Sequence, residues 1–165
     1  MQRIHLLATG GTIEKIYSEQ KGSVENADSK IETYLARLRL PDTQVDVTRL
    51  MNKDSLEMTD ADRARILEAV RKKCDAPIVI THGTDTMVQT GMFLKNALGQ
   101  AAHPIVLTGA MTPLGFESSD GLQNLTESLF AARVLAPGIY VVIHGQAFPV
   151  DHVRKDLEHS RFLPV

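Results

Sequence analysis

Hydrophobic and polar positions alternate between two rhythms along the chain. Short apolar runs recur between longer stretches in which apolar residues return every third or fourth position. Arg3 to Ala8 is the first such run, and it leads straight into Gly10-Gly11. Ser29 to Leu40 places Ile31, Leu35 and Leu38 at helical spacing and stops at Pro41. Gln44 to Leu50 alternates Val45 and Val47 with polar neighbours, the pattern of a strand with one face more exposed. Thr59 opens a helix: Thr59-x-x-Asp62 has the spacing of a capping box, with Asp for the usual Glu. Ile66, Leu67 and Val70 then share its inner face. Pro77 to Ile80 is continuously apolar, as expected of a strand buried on both sides of a parallel sheet. Thr86 to Leu98 reads as a helix and Pro104 to Leu107 as a strand. Ser118 to Leu135 is a further helix, and Pro137-Gly138 separates it from the strand Ile139 to Ile143.

The order is βαβαβαβαβ, with five strands and about four helices. Such alternation with short connections predicts a mostly parallel sheet carrying helices on both faces, an open three-layer α/β sandwich of Rossmann-like or flavodoxin-like type. A closed barrel usually needs about 250 residues, and this chain of 165 is sized for one domain. Ligands in open sheets sit beyond the carboxyl ends of strands. That directs attention to the segments after Ala8, Leu50, Ile80, Leu107 and Ile143. Glu14 to Ser29 is polar, contains Gly22 and has no clear period, so it is expected to be disordered or a functional loop such as a lid.

Composition narrows the partners. Eighteen Lys and Arg against 20 Asp and Glu give a net charge of -2, which argues against nucleic acid or an anionic membrane as partner. The single cysteine, Cys74, allows no intrachain disulfide and suits a reducing compartment. The apolar run Ile4 to Ala8, broken by His5, is too short for a signal peptide, and no stretch approaches the roughly 20 apolar residues that span a bilayer. A cytoplasmic protein is therefore expected. His5, His82, His103, His144, His152 and His159 show no metal-ligand spacing, so no metal is expected. Arg63, Arg65, Arg71, Lys72 and Lys73 read as a solvated helix face.

Two segments carry candidate chemistry. After the first strand stands Thr9-Gly10-Gly11-Thr12-Ile13, where adjacent glycines bring bare N–H groups and a hydroxyl close to a ligand. It is not a nucleotide loop, since neither G-x-G-x-x-G nor a Walker lysine follows. After the third strand stands Thr81-His82-Gly83-Thr84-Asp85-Thr86, a polar cluster at a strand end. Thr and Asp also cap helices, so each segment alone is weak. Two of them at carboxyl ends of one sheet form a sharper signal.

Together these segments resemble the bacterial-type L-asparaginases and glutaminase-asparaginases, whose signatures are T-G-G-T-I near the N-terminus and H-G-T-D-T about seventy residues on. Asp54-Ser55-Leu56-Glu57-Met58, Gly109-Ala110-Met111, Gly138 to Val142 and Val153-Arg154-Lys155 match further segments in order. The likeness runs from about Ile4 to Lys155. It implies hydrolysis of the asparagine side-chain amide to aspartate and ammonia without metal or cofactor. By the family pattern Thr12 is the nucleophile and forms an acyl-enzyme, while Thr84, Asp85 and Lys155 form the second catalytic group. A threonine needs a base to take its proton; Lys155 acting through Thr84, a tyrosine, or both are open. Tyr17, from the polar loop, is the candidate for the family's loop tyrosine. Asp85 suits the substrate ammonium, and the Ser55 hydroxyl with nearby N–H groups suits its carboxylate. Leu56 stands where members often carry glutamine. Ala110 matches a position whose carbonyl receives the substrate amide, and N–H groups near Gly11, Gly83 and Thr84 are candidates for the oxyanion.

Typical members are twice this length, with a second domain that helps a partner subunit close its site. The resemblance therefore implies an N-terminal-type catalytic domain over residues 1–165 without the C-terminal domain, assembled as a homodimer or homotetramer. Two alternatives differ in class: an amino-acid-binding or regulatory module with little turnover, and a hydrolase of another amide.

Overall fold

The computed structural model describes residues 1–27 and 29–165; Asp28, inside the segment expected to be an irregular loop, lies outside them. The principal sheet contains β1 (Gln2–Gly10), β4 (Thr43–Lys53), β5 (Ile78–Thr81), β6 (Pro104–Thr108), β7 (Gly138–Ile143) and β8 (Gln146–Pro149). Their order is β4-β1-β5-β6-β7-β8, with the first five parallel and β8 antiparallel on β7. The expected open, mostly parallel sheet is present, with one added antiparallel edge strand.

Alternation along the strands divides the core into two layers. Ile4, Leu6, Ala8, Val79, Val106 and Val142 face one side, beneath α1 (Ile31–Leu35) and α4 (Gly121–Val134). Leu7, Ile78, Ile80, Leu107, Val141 and Ile143 face the other, beneath α2 (Asp60–Lys72) and α3 (Met87–Leu98). Continuous apolar runs such as Ile78–Thr81 belong to strands covered on both faces. The Thr59–Asp62 capping box forms as the spacing predicts. Burying Asp62 would be costly without a partner, and Lys53 Nζ provides one at 2.8 Å. The Lys53 ammonium and the Thr59 N–H hold the Asp62 pKa down to about 2.

Several expectations change. Glu14 to Ser29 is not patternless: β2 (Lys15–Ser18) and β3 (Ser23–Asn26) pair as an antiparallel hairpin. The helix expected over Ser29 to Leu40 is only α1, and the strand expected to end at Leu50 runs to Lys53. A second hairpin pairs β9 (Val153–Asp156) with β10 (Arg161–Pro164). Arg63 is not on a solvated face. It is 4% exposed and spans from Met58 O and Asp60 to the Thr90 hydroxyl.

The chain builds β4 on one flank of β1 and then crosses to place β5 on the other. The β1–β5 boundary is therefore the topological switch point, where adjacent loops leave in opposite directions and open a crevice. The turns after β1 and β5 carry Thr12 and Thr84.

Candidate active site

Close backbone packing gathers four strand ends. Gly10 and Gly11 both have positive φ, at 106° and 80°, a region in which side chains are strained. A Cβ on Gly10 would lie 2.3 Å from Lys53 N, and one on Gly11 would lie 2.3 Å from Gly83 N. A Cβ on Gly83 would strike the Ser55 side chain at 2.4 Å, and one on Gly109 would strike His82 O at 2.3 Å. The absence of side chains at these positions lets the ends of β1, β4, β5 and β6 meet.

Thr12 begins a short 3-10 turn, Thr12–Glu14, and is half-buried. Its hydroxyl has no hydrogen-bond partner among the described residues. Beneath it, Glu14 is 3% exposed, and its Oε2 accepts from Gly10 N at 2.7 Å and from the Thr81 hydroxyl at 2.8 Å. One carboxylate oxygen thus clamps the turn after β1 to the end of β5. Ile13 packs with Ala110 and Leu114 in a small apolar cluster, so the turn after β6 lies against the residue following Thr12.

On the β5 side, Lys155 Nζ donates to Thr84 Oγ1 at 2.7 Å and to Asp85 Oδ1 at 2.5 Å. Thr84 is 6% exposed, and the Lys155 side chain is 14% exposed. Lys155 reaches the site from β9, which places it beside residues some seventy positions earlier. The Thr12 and Thr84 N–H groups make no backbone hydrogen bond among the described residues. Two free donors and two hydroxyls on contacting turns suit a substrate carbonyl that gains negative charge.

His82 supports the Thr84 turn from behind. Its Nδ1–H donates to Gly83 O at 2.7 Å, which fixes the tautomer, and its Nε2 accepts from the Thr90 hydroxyl at 2.8 Å. Arg63 Nε donates to the same hydroxyl at 3.2 Å. Burial pushes the His82 pKa down to about 4, so the ring is neutral at pH 7.

Ser55 is buried against Gly83, and Thr86 Oγ1 donates to its carbonyl at 2.9 Å. Leu56 is 74% exposed. Asp54 accepts from Lys15 Nζ at 2.6 Å, which ties the β2–β3 hairpin to the end of β4 and holds the Asp54 carboxyl below its usual range. Asn26 Nδ2 donates to Gly11 O at 3.0 Å, a second tie from the same hairpin. Tyr17 lies on this hairpin opposite Val24 and is exposed, and its hydroxyl makes no hydrogen bond among the described residues. The structure thus brings together Thr12, Gly11, Ser55, Gly83, Thr84, Asp85, Ala110 and Lys155, and leaves Tyr17 and Leu56 outward.

Sequence reasoning missed Glu14, and it also missed Asp120, which accepts from Met111 N, Thr112 N, Asn124 and His144. Burial opposes the Asp120 charge, but the Thr112 and Met111 N–H groups and His144 outweigh it and keep the carboxyl below its usual range. Among the described residues no cluster of His, Cys, Asp or Glu has metal-binding geometry. No helix among them is long and apolar enough to cross a membrane.

An unpaired threonine hydroxyl thus stands at the switch point of a mostly parallel α/β sheet, beside a threonine–lysine–aspartate chain. The chain belongs to the asparaginase family: residues 3–161 match the family model described as asparaginase, N-terminal. It is 36% identical over 144 residues to an L-asparaginase of Thermococcus kodakarensis, spanning 84% of this chain and 43% of that protein. A glutamyl-tRNA(Gln) amidotransferase chain of Methanococcus vannielii is 31% identical over 150 residues, 88% of this chain and 35% of its own. The solved structure of the thermostable L-asparaginase from Thermococcus kodakarensis superposes with a TM-score of 0.85 at 31% identity, covering 99% of this chain and 51% of that one. L-asparaginase I from Vibrio cholerae superposes with a TM-score of 0.84 at 27% identity over the same shares. The chain spans about half, or less, of the length of these relatives.

Proposed function

We propose that this chain is an amidohydrolase that converts L-asparagine to L-aspartate and ammonia through a Thr12 acyl-enzyme. One observation carries the reading: Lys155 Nζ lies 2.7 Å from Thr84 Oγ1, on a turn packed directly against the one bearing Thr12. In the first half-reaction Thr12 Oγ1 attacks the side-chain carbonyl carbon. The Thr12 and Thr84 N–H groups receive the oxyanion. The hydroxyl proton passes through Thr84 and Lys155 and ends on the leaving nitrogen, which departs as ammonia. Water then attacks the ester, aspartate leaves, and Thr12 regains its proton. Asp85 is assigned the substrate ammonium and Ser55 the substrate carboxylate. Asp85 Oδ1 also accepts from Lys155 Nζ at 2.5 Å, so the carboxylate assigned to the substrate ammonium touches the lysine of the relay.

The site needs shielding from water for its hydrogen bonds to act at full strength. The β2–β3 hairpin, bearing Tyr17, is proposed as the lid, with two-fold self-association into a homodimer or homotetramer completing the closure. Exposed Tyr17 and Leu56 supply apolar surface for it. Cytoplasmic placement is proposed on the free Cys74, although a relative from Haemophilus influenzae is named as a probable periplasmic L-asparaginase.

Leu56 favours a second reading. Exposed leucine offers nothing to an amino-acid headgroup, which suits a larger amide whose α-end extends outward. The deciding experiment measures ammonia release from asparagine, glutamine and larger asparagine amides extended at the α-end, with Thr12→Ala as control. Release from asparagine that Thr12→Ala abolishes supports the first reading. Release only from the larger amides supports the second. No Thr12-dependent release from any of them leaves a binding module.

A further inference from the structure

Ala110 and Met111 share one peptide unit, and in a trans peptide the C=O and N–H point to opposite sides. The N–H side is occupied. Met111 N donates to both oxygens of Asp120, each at 3.0 Å, and Thr112 N donates to Oδ1 at 2.9 Å. Two nearby carbonyls are tied as well: Gly109 O, the preceding one, accepts from Asn124 Nδ2 at 2.9 Å, and Thr112 O, two residues on, accepts from the Ser119 hydroxyl at 2.9 Å. The Ala110 carbonyl accepts no hydrogen bond among the described residues, although Ala110 is 1% exposed. A buried carbonyl without a partner is uncommon. This one faces away from Asp120, on a turn that packs against Ile13 and the end of β5.

Asp120 is itself held by residues far along the chain. Asn124 Nδ2 donates to its Oδ2 at 2.9 Å and His144 Nε2 donates to the same oxygen at 2.7 Å. His144 and Gly145 form the two-residue turn between β7 and β8, both with positive φ, at 52° and 74°. His144 N donates to Asn124 Oδ1 at 3.0 Å. A carboxylate gathering donors from three segments is an anchor of fixed orientation, and what it orients is the Ala110–Met111 peptide.

We propose that Asp120 is a positioning residue: by holding the Met111 N–H it aims the Ala110 carbonyl into the site, where it accepts from the substrate carboxamide nitrogen and from the departing ammonia. His144 and Asn124 keep Asp120 in place. The assignment rests on the amide hydrolysis proposed above. It predicts a selectivity that a merely structural role does not confer, because the Ala110 carbonyl serves only substrates with an N–H on the leaving group.

The test compares asparagine with the β-methyl ester of aspartate, which shares its acyl part and lacks that N–H. Asp120→Asn replaces an acceptor oxygen with an NH2 group facing donors, and so releases the turn. It is expected to lower kcat/KM for asparagine about tenfold relative to the ester, the scale of one uncharged hydrogen bond. His144→Asn removes the Nε2 donor while retaining a residue that tolerates positive φ. It is expected to shift the same ratio by about threefold, and it decides the matter if Asp120→Asn does not fold. Equal losses on amide and ester, or an unchanged ratio, overturn the positioning role while leaving the amidohydrolase reading intact. A wild-type chain inactive on both substrates overturns that reading, and this assignment with it.

Discussion

Lys155→Met keeps the aliphatic stem and removes the nitrogen that bridges Thr84 and Asp85. The effect on stability is expected to be small. Asp85 is 38% exposed and regains water when its partner goes, and ion pairs this open to solvent contribute about 1 kcal/mol or less. For a chain of this size that shifts Tm by about 2–4 °C. The effect on activity is of another order. Loss of a positioned proton carrier typically costs a factor of about 10²–10⁴, or about 3–5 kcal/mol of barrier. Ammonia release at saturating asparagine is therefore expected to fall at least about a hundredfold in a protein that melts within a few degrees of wild type. Lys155→Arg can preserve the Asp85 ion pair but cannot lose a proton near neutral pH, so it is expected not to restore turnover. Arginine with near wild-type turnover would refute the proton-carrying role and leave a purely electrostatic one. So would a methionine variant that retains more than about a tenth of the activity.

Gly11→Ala places a methyl group 2.3 Å from Gly83 N at a φ of 80°. It is expected to cost about 2 kcal/mol or more in chemical denaturation and to abolish turnover, since relief requires the Thr12 and Thr84 turns to separate; a fully active, equally stable variant would contradict the close contact. Lys53→Met removes the partner of Asp62. Because the folded pKa of Asp62 is lowered from 3.8 to about 2, the stability lost in this variant is expected to be full above about pH 4, to shrink as pH falls through about 2, and to vanish below, as read by urea midpoints across pH. Asparagine is expected to exceed glutamine in kcat/KM, because one more methylene carries the amide carbon past Thr12; equal values would refute that placement.

The parallel strands were legible because burial on two faces leaves a continuous apolar run, as at Ile78–Thr81, and the helices because one face is apolar. The three hairpins were not. Ser23 to Asn26 pairs with Lys15 to Ser18 largely through backbone, and its side chains alternate too weakly to read. The β7–β8 turn uses His144-Gly145, where the usual signal is Asn-Gly or Asp-Gly. At the site, strand-end position and residue type pointed to Thr12 and Thr84, and the family resemblance supplied Lys155. Glu14 looked like one acid in a polar loop, and Arg63 like one charge among several. Their partners, Thr81 and Thr90, lie far along the chain, and only the fold reveals the pairing. Asp120 escaped notice for the same reason, since its partner His144 comes from the distant β7–β8 turn.

The central position of β1 has a consequence for how the site comes into being. Both neighbours of β1 follow it in the chain, His5 pairing with Asp46 on one side and Ile78 on the other. Each pairing closes a long loop before any contact repays the entropy, so strand assembly is expected to be slow for the chain's length. Until β5 docks, the apolar residues Ile4, Leu6 and Leu7 have an open edge beside them, a surface prone to mispairing with other chains. Thr12 meets Thr84 only when that edge closes, and Lys155 arrives later still. β1, which leads into the Thr12 turn, is thus the strand most in need of protection during synthesis, and the groups of the proposed site are expected to come together only late in assembly.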